Sequence, residues 1–179
     1  MKKTKLTLQE LCSIAVFTAV LVIMAQICIP MPFGVPMTMQ TFAVTLTGIV
    51  LGPRNGTISV FIYLLLGAVG VPVFTGFNGG LQAFWGPTGG FLLSFPIMAF
   101  LAGLGAEHRR KKGLFPICII LGTVVNFAAG TLLFCLLTHS TILVGFSTCV
   151  LPFIPTTAIK TILAAISGLK LRRQLNRIL

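Results

Sequence analysis

The sequence predicts an all-α integral membrane protein: one domain, residues 1–179, with six transmembrane helices and both termini in the cytoplasm. The first supporting observation is composition, since 56% of the residues are hydrophobic and 8% are charged, whereas soluble domains carry about 25% charged residues. The second is a series of six apolar segments. The third is the clustering of Lys and Arg in alternate connections between those segments.

The first helix is predicted over Leu11–Ile29, an apolar run of about 19 residues, which is long enough to cross a bilayer. Basic residues precede it, as they do in a secretory signal peptide. No A-x-A cleavage site follows it, so we expect an uncleaved transmembrane helix.

The second, third and fourth helices are predicted over Thr38–Leu51, Gly56–Val71 and Gly90–Gly105. These segments are short for a bilayer and rich in Gly and Thr. Small residues allow helix backbones to approach closely. We therefore expect these three helices to be packed inside the bundle rather than fully exposed to lipid.

The fifth and sixth helices are predicted over Leu114–Leu137 and Pro152–Leu171. In the fifth, Gly122, Asn126 and Gly130 recur every four residues and share one face, which predicts close packing and an interhelical hydrogen bond. The sixth begins near two prolines, a residue type that suits the first turn of a helix.

The distribution of charge predicts the orientation. With both ends inside, every Lys and Arg except Lys160 falls on the cytoplasmic face, and the outer connections receive none. The residues assigned to that face are Lys2, Lys3, Lys5, Arg54, Arg109, Arg110, Lys111, Lys112, Lys170, Arg172, Arg173 and Arg177. Five or seven helices would move the last cluster outside, which disfavours those numbers.

Three uncharged outer connections are expected, Pro30–Met37, Pro72–Gly89 and His139–Leu151. The middle one is long, rich in Gly and aromatic residues, and contains the only Trp. Long connections without secondary structure are usually functional or disordered, and its aromatic residues argue against disorder. An aromatic belt at the membrane interface is the alternative interpretation.

Several classes of function are disfavoured by missing residue types. The chain has no Asp, two Glu and two His, and none of these is predicted at mid-membrane. A catalytic triad, a metal cluster and an intramembrane proton relay therefore lack their residues. The basic residues lie in short clusters between apolar runs, which does not indicate nucleic acid binding. We predict a ligand binder that is not an enzyme and needs no cofactor or metal.

Lys160 lies in an otherwise apolar helix, and both Glu10 and Glu107 are predicted on the opposite face. An unpaired lysine at this depth is costly and usually marks a functional site. Thr156 and Thr157 fall in the first turn of the same helix, whose N-terminus already favours anions. We expect an anionic or strongly polar ligand here. The alternative is a lysine that extends along the helix surface towards water.

Further ligand contacts are expected from polar and aromatic residues on the same outer side. Thr38 and Gln40 open the second helix, and Asn78, Gln82 and Trp85 lie in the long middle connection. A small-molecule pocket combines apolar walls with a few convergent polar groups. These residues supply both.

Three stretches of the sequence resemble the BioY family, the biotin-binding S components of energy-coupling factor (ECF) transporters. They are Val35–Phe74, the Gly86-Pro87-Thr88-Gly89-Gly90 motif, and the Pro-rich start of the last helix with Lys160. The resemblance implies the S-component fold in a bacterial cell membrane and capture of biotin from outside. It also implies a membrane-embedded coupling subunit and two ATP-binding subunits as partners.

The resemblance also assigns roles to individual residues. Asn78, Thr157 and Lys160 match positions that hold biotin, and Ala15 and Ala19 match an AxxxA face that docks on the coupling subunit. Lys160 is expected to bind either the biotin carboxylate or the ureido oxygen, with Gln40 satisfying other polar groups and Trp85 covering the apolar part.

Two positions depart from the family pattern. Thr157 stands where Asp is common, and Phe91 stands where Tyr is common. The first change removes the usual carboxylate neighbour of the lysine, so an altered affinity or a related ligand such as dethiobiotin is the alternative. An S component for another small vitamin and a stand-alone facilitator are further alternatives.

Overall fold

The computed structural model describes residues 6–31, 34–111 and 113–178. Its helices are α1 (Leu8–Gln26), α2 (Gln40–Ala68), α3 (Gly89–Glu107), α4 (Leu114–Thr138), α5 (Ile142–Cys149) and α6 (Ile154–Ile178), with short 3-10 helices at Leu81–Trp85 and Leu151–Phe153. Two short strands, β1 (Cys28–Ile29) and β2 (Met37–Thr38), pair in antiparallel fashion. Five helical stretches are long and apolar enough to cross a membrane: α1, α2, α3, α4 and the stretch Ile142–Leu175. The predicted all-α membrane class is confirmed.

Helix α1 begins three residues before the predicted start because a capping box precedes the apolar run. The Thr7 hydroxyl accepts a hydrogen bond from the backbone N–H of Glu10, and the Glu10 carboxylate accepts one from the backbone N–H of Thr7 at 2.8 Å. The helix ends at Gln26, before the predicted Ile29, because Cys28 and Ile29 form β1.

Helix α2 covers most of the second and third predicted helices and reverses direction at Gly52; it begins two residues after the predicted Thr38, which lies in β2, and ends before the predicted Val71. The backbone of Gly52 is non-helical (φ 82°, ψ 177°), a conformation that favours glycine, and Pro53 follows it. Beyond this point the chain runs back. Gln40 donates to the hydroxyl of Tyr63 at 2.7 Å, although a straight helix would separate these residues by roughly 34 Å.

Close helix packing occurs where the sequence has small residues. A methyl group at Gly48 would overlap the carbonyl of Ala99, and one at Gly103 would overlap the backbone of Pro53. Gly122, Asn126 and Gly130 of α4 are buried. Asn126 also donates to the backbone oxygen of Phe91 in α3. Both packing predictions, for the short Gly-rich helices and for the small face of α4, are confirmed.

The core extends from the helices to the long connection after α2. The ring of Phe74 packs edge-on against Tyr63, with centroids 5.5 Å apart, and against Phe84 at 5.6 Å. Val73 and Phe74 of this connection belong to the same core cluster as residues of α1, α2 and α3, among them Leu21, Val44 and Phe95. The connection is therefore part of the folded bundle.

The connection after α4 differs from the sequence-based expectation. Residues 139–151 were expected to form a loop, but Ile142–Cys149 form helix α5, which packs on α4. His139 ends α4 in the left-handed conformation (φ 51°) and allows the chain to turn. Helix α6 then starts at Ile154 with Pro155 in its first turn, and it extends to Ile178, beyond the predicted end at Leu171.

Candidate ligand-binding site

A cavity of about 280 Å³ lies where the N-terminal ends of α2, α3 and α6 meet the long connection. Its lining combines polar residues with aromatic ones: Gly34, Val35, Pro36, Thr38, Gln40, Thr41, Phe74, Thr75, Asn78, Gly79, Gln82, Ala83, Gly86, Thr88, Phe91, Leu92, Phe95, Asn126, Phe127, Phe153, Thr157 and Lys160. The volume is close to the lower end of the range for small-ligand pockets, about 300 Å³. Six of the seven predicted ligand-binding residues line this cavity.

Lys160 is held at the wall of the cavity by the backbone of Thr38, in strand β2 just before α2. Its Nζ donates to the backbone oxygen of Thr38 at 2.8 Å. Because an ammonium group has three N–H donors, two remain without a partner among the described residues. The head group thus faces the cavity and does not extend along the surface of α6.

Neither carboxylate side chain of the protein is near Lys160. Glu10 accepts hydrogen bonds from Thr7 and from Asn55. Glu107 lies 3.9 Å from Arg172. The sequence contains no other Asp or Glu, so no acidic side chain neutralises Lys160. The arrangement suits a ligand that brings a negative or strongly electron-rich oxygen.

Thr157 lies one helical turn before Lys160 and is 7% exposed. Its side chain lines the cavity together with that of Lys160. Thr156, the other threonine of the first turn, donates to the backbone oxygen of Phe153 at 3.0 Å and does not line the cavity. Of the two hydroxyls, only that of Thr157 is placed to meet a ligand.

Gln40 and Thr38 belong to a hydrogen-bonded network at the start of α2. The Oε1 of Gln40 accepts from the hydroxyls of Thr38 at 3.0 Å and Thr75 at 3.2 Å, while its Nε2 donates to Tyr63. Gln40 therefore connects α2 to the long connection and fixes Thr38, the residue that holds Lys160. Thr75 and Tyr63 were not among the predicted site residues.

Asn78 and Gln82 line the cavity from the long connection. Asn78 donates to the backbone oxygen of Thr75 at 3.0 Å, and Gln82 donates to that of Gly79 at 2.9 Å. Both amides thus stabilise local turns through their nitrogen atoms. Their oxygen atoms have no hydrogen bond within the described part of the chain.

Gln26, at the end of α1, anchors this connection. Its Nε2 donates to the backbone oxygens of Val73 and Phe74, and its Oε1 accepts from the N–H of Phe77 at 3.0 Å. Phe77 has a positive φ of 56°, which is unfavourable for a bulky residue unless neighbouring groups hold it. Its position near a helix end does not by itself distinguish Gln26 from other polar residues in such places.

Trp85 does not lie in the cavity, which corrects the sequence-based prediction. Its side chain is 75% exposed. A 3-10 helix has about three residues per turn, so neighbouring side chains point about 120° apart. Within Leu81–Trp85, Phe84 packs on Phe74, and Trp85 consequently points away. The apolar walls are formed instead by other residues: Phe74, Phe91, Leu92, Phe95, Phe127 and Phe153.

Ala15 and Ala19 are exposed on α1 and are not part of the cavity lining. The opposite face of α1 is buried and includes Ile14 and Thr18. Thr18 lies 3.1 Å from the hydroxyl of Ser59 in α2. The two alanines thus form a smooth strip on the outside of the bundle.

The described residues include no cluster of three or more His, Cys, Asp or Glu side chains of the kind that holds a metal ion. A bundle of membrane-spanning helices with a small cavity, apolar walls and one cation with spare donors defines a membrane solute-binding protein of the transporter type. The chain belongs to the BioY family, whose model matches residues 1–177.

Individual relatives agree with this assignment. The biotin transporter BioY of Thermotoga maritima is 38% identical over 93% of this chain and 97% of its own length. The biotin transporter BioY2 of Lactococcus lactis subsp. cremoris is 38% identical over 98% and 96%. A crystal structure of the S-component for biotin from an ECF-type ABC transporter matches with a TM-score of 0.85 and 29% identity, over 94% of this chain and 95% of that one. The resemblance drawn from the sequence is confirmed.

Proposed function

We propose that this protein is the S component of an ECF transporter and captures biotin in the cavity beside Lys160. The observation that carries the proposal is the unneutralised ammonium group of Lys160, held at the cavity wall with two N–H donors to spare. Biotin offers a carboxylate and a ureido oxygen, and either matches these donors. The aromatic walls suit its fused rings and valeryl chain.

Thr38, Gln40, Asn78, Gln82 and Thr157 complete the proposed site. Thr157 and the amide oxygens of Asn78 and Gln82 are placed for direct polar contacts. Gln40 acts mainly through Thr38, because its amide is engaged by three side chains. Trp85 has no part in this site.

Titration calorimetry of the purified protein with biotin, dethiobiotin and other small vitamins tests the ligand assignment. Biotin is expected to bind at least about tenfold more tightly than the other vitamins, a difference of ~1.4 kcal/mol. Preferential binding of dethiobiotin would instead support the alternative connected with Thr157. Binding of neither ureido compound would contradict the proposal.

We further infer six membrane crossings with both termini in the cytoplasm of a bacterial cell. Support comes from the helix ends that lie together at one face of the bundle, opposite the cavity. Gly52, where α2 reverses, lies beside Glu107 at the end of α3 and Arg172 near the end of α6. Glu10, in the first turn of α1, accepts a hydrogen bond from Asn55, just beyond the reversal.

This face is also the basic one, which favours the cytoplasm. Arg54, Arg109, Arg110, Lys111 and Arg172 lie at or near these helix ends. Lys2, Lys3, Lys5, Lys112 and the side chain of Arg177 belong to the predicted basic face but lie outside the described residues. The cavity opens at the opposite ends of the helices, which is the expected position for capture from outside.

We propose that Ala15 and Ala19 dock on a membrane-embedded coupling subunit driven by two ATP-binding subunits. Their support is an exposed small-residue strip on α1, which lets another helix approach closely. Replacing both with Leu is expected to preserve biotin binding and to abolish copurification with the coupling subunit. Ala128→Leu, on an exposed part of α4, is the matched control.

Retention of the complex by the Ala15→Leu, Ala19→Leu variant would contradict the docking role. Reconstitution in liposomes separates the proposal from a stand-alone facilitator. An S component is expected to accumulate biotin only when the coupling subunit, the ATP-binding subunits and ATP are present. Equilibration of biotin by the protein alone would favour the facilitator.

A further inference from the structure

Asn126 lies in the middle of α4 and is 3% exposed, yet its side chain lines the cavity. The sequence pattern assigned this residue to helix packing, and the structure contains that packing. Helix packing does not explain why this polar side chain also forms part of the cavity wall. The orientation of its amide determines whether a donor or an acceptor is left for a ligand.

The amide orientation follows from the groups that surround its nitrogen. The Nδ2 of Asn126 lies 3.1 Å from the backbone oxygen of Phe91 and 2.7 Å from the hydroxyl oxygen of Ser94. A carbonyl oxygen only accepts hydrogen bonds, so the atom facing Phe91 must be the donor. Reversing the amide would bring two acceptors together.

Ser94 leads to the same orientation independently. Its hydroxyl donates to the backbone oxygen of Phe91 at 2.9 Å. Since a hydroxyl has a single hydrogen to donate, the Ser94 oxygen must accept from Asn126. Two neighbouring acceptors in α3 therefore fix the nitrogen of Asn126 in place.

The remaining atom, Oδ1, has no hydrogen-bond partner within residues 6–31, 34–111 and 113–178. Oδ1 is not one of the side-chain oxygens that are both fully buried and unpaired, so it retains accessible surface. Asn126 reaches the cavity from the α4 wall, where Phe91 and Leu92 are its apolar neighbours in the lining. An acceptor with fixed orientation is thus present in an otherwise apolar part of the cavity.

We propose that Asn126 determines the ligand specificity of this site, because its Oδ1 accepts a hydrogen bond from an N–H group of the bound ligand. This inference rests on the proposed function. In biotin, at neutral pH, the N–H donors are the two ureido nitrogens, so the ureido ring would lie against the α3–α4 wall. A buried acceptor that matches a ligand N–H strongly rejects analogues without that group.

The test compares biotin with biotin methylated at one or the other ureido nitrogen, using calorimetric titration of the unmodified protein and two variants. Methylation of the nitrogen that faces Asn126 is expected to weaken binding to the unmodified protein by about 30-fold or more. Methylation of the other nitrogen adds the same bulk and serves as a ligand control. This comparison needs no variant to fold.

Asn126→Ala is expected to weaken biotin binding by roughly tenfold or more and to abolish the difference between biotin and the sensitive methyl analogue. Ser94→Ala is the matched control, because it removes an interhelical partner of Asn126 and lies outside the cavity lining. A purely structural role predicts similar losses for both variants. The proposed role predicts that Ser94→Ala keeps the discrimination between analogues.

The inference is overturned if the unmodified protein binds biotin and both methyl analogues equally, or if Asn126→Ala retains full discrimination. A failure of the proposed function has a different signature, namely no biotin binding by the unmodified protein. That result would remove both conclusions, whereas equal binding of the analogues would remove only the role of Asn126.

Discussion

Two cations on α6 are built into the bundle in the same way but have different surroundings. Lys160 near the start of the helix donates to the backbone oxygen of Thr38, and Arg172 near its end donates to that of Ile49. The cations are separated by about 18 Å of helix and their acceptors by about 16 Å of chain. The two hydrogen bonds therefore join α6 to the first half of α2 and the residues just before it, one bond at each end.

Arg172 has both a hydrogen-bond acceptor and a carboxylate beside it within the protein. In a continuous helix the oxygen of Ile49 would accept from residue 53, but Pro53 has no N–H. Arg172 supplies the missing donor at 2.7 Å. Glu107 lies 3.9 Å from its second terminal nitrogen. At this end the protein itself supplies both a donor for the oxygen of Ile49 and a carboxylate beside the cation.

The surroundings of Lys160 are incomplete. Thr38 supplies one acceptor. Arg172 has the carboxylate of Glu107 beside it, whereas the residue one turn before Lys160 is the uncharged Thr157. The same construction is structural where the protein contains all the partners, and we propose that it is a binding site where one is missing. The ligand is proposed to supply that partner.

The largest expected effect is the loss of ligand affinity in Lys160→Met. Methionine keeps much of the length and the apolar stem but has no charge or donor. We expect biotin affinity to fall by at least about 30-fold, or ~2 kcal/mol, because removing one member of a buried charge-assisted contact costs at least that much. Calorimetric titration measures the loss.

The unliganded Lys160→Met protein is expected to be no less stable than the unmodified protein, because removal of a cation without a countercharge offsets the lost hydrogen bond to Thr38. A fall in the midpoint of thermal unfolding would indicate that Lys160 is mainly structural. Unchanged affinity would contradict its role in binding.

The next effect is a loss of stability in Arg172→Met, the matched variant at the other end of α6. The oxygen of Ile49 would lose the donor that Arg172 supplies, which costs about 1–3 kcal/mol for a buried group. We expect a lower midpoint of thermal unfolding in detergent and a biotin affinity within about threefold of the unmodified protein. A loss of biotin affinity much greater than threefold would contradict the assignment of Arg172 to a structural role.

A smaller effect is expected for Glu107→Gln. The carboxylate is 43% exposed and its distance to Arg172 is long, so the ion pair contributes about 0–1 kcal/mol. The decrease in the unfolding midpoint is expected to be less than for Arg172→Met. Equal decreases would mean that the charge of Glu107, rather than the donor for Ile49, dominates this end.

An effect of similar size but opposite sign is expected for Thr157→Asp, which places a carboxylate three residues before Lys160. The new charge lies in the first turn of α6 and should stabilise the unliganded protein by about 0.3–1 kcal/mol. A modest rise in the unfolding midpoint is expected. Thr157→Asn, nearly the same in shape and uncharged, is the control and should produce no rise.

The sequence predicted most of the architecture because the relevant signals are local. Apolar length and charge clusters located the spans, and the unpaired Lys160 identified the cavity. Gly52-Pro53 separates two apolar segments that were each predicted to be a helix, so the positions of both halves of α2 were also predictable. Residues 142–149 were missed because an eight-residue apolar helix is too short to be distinguished from a connection by hydropathy.

Other features of the site depend on tertiary contacts. Trp85 and Phe84 are adjacent and both aromatic, and only the rotation of the 3-10 helix decides which one faces inward. Gln26 anchors a connection about 50 residues further along the chain. The free oxygen of Asn126 follows from the acceptors that α3 presents, and no spacing in α4 encodes it.

The most direct test measures the rise in unfolding midpoint caused by biotin in the unmodified protein, Lys160→Met and Arg172→Met. A ligand stabilises only the state that it binds, so the rise reports binding independently of the starting stability. We predict that Arg172→Met begins lower and shows the same rise as the unmodified protein, while Lys160→Met begins no lower and shows none. A full rise in Lys160→Met, or its loss in Arg172→Met, would contradict the account.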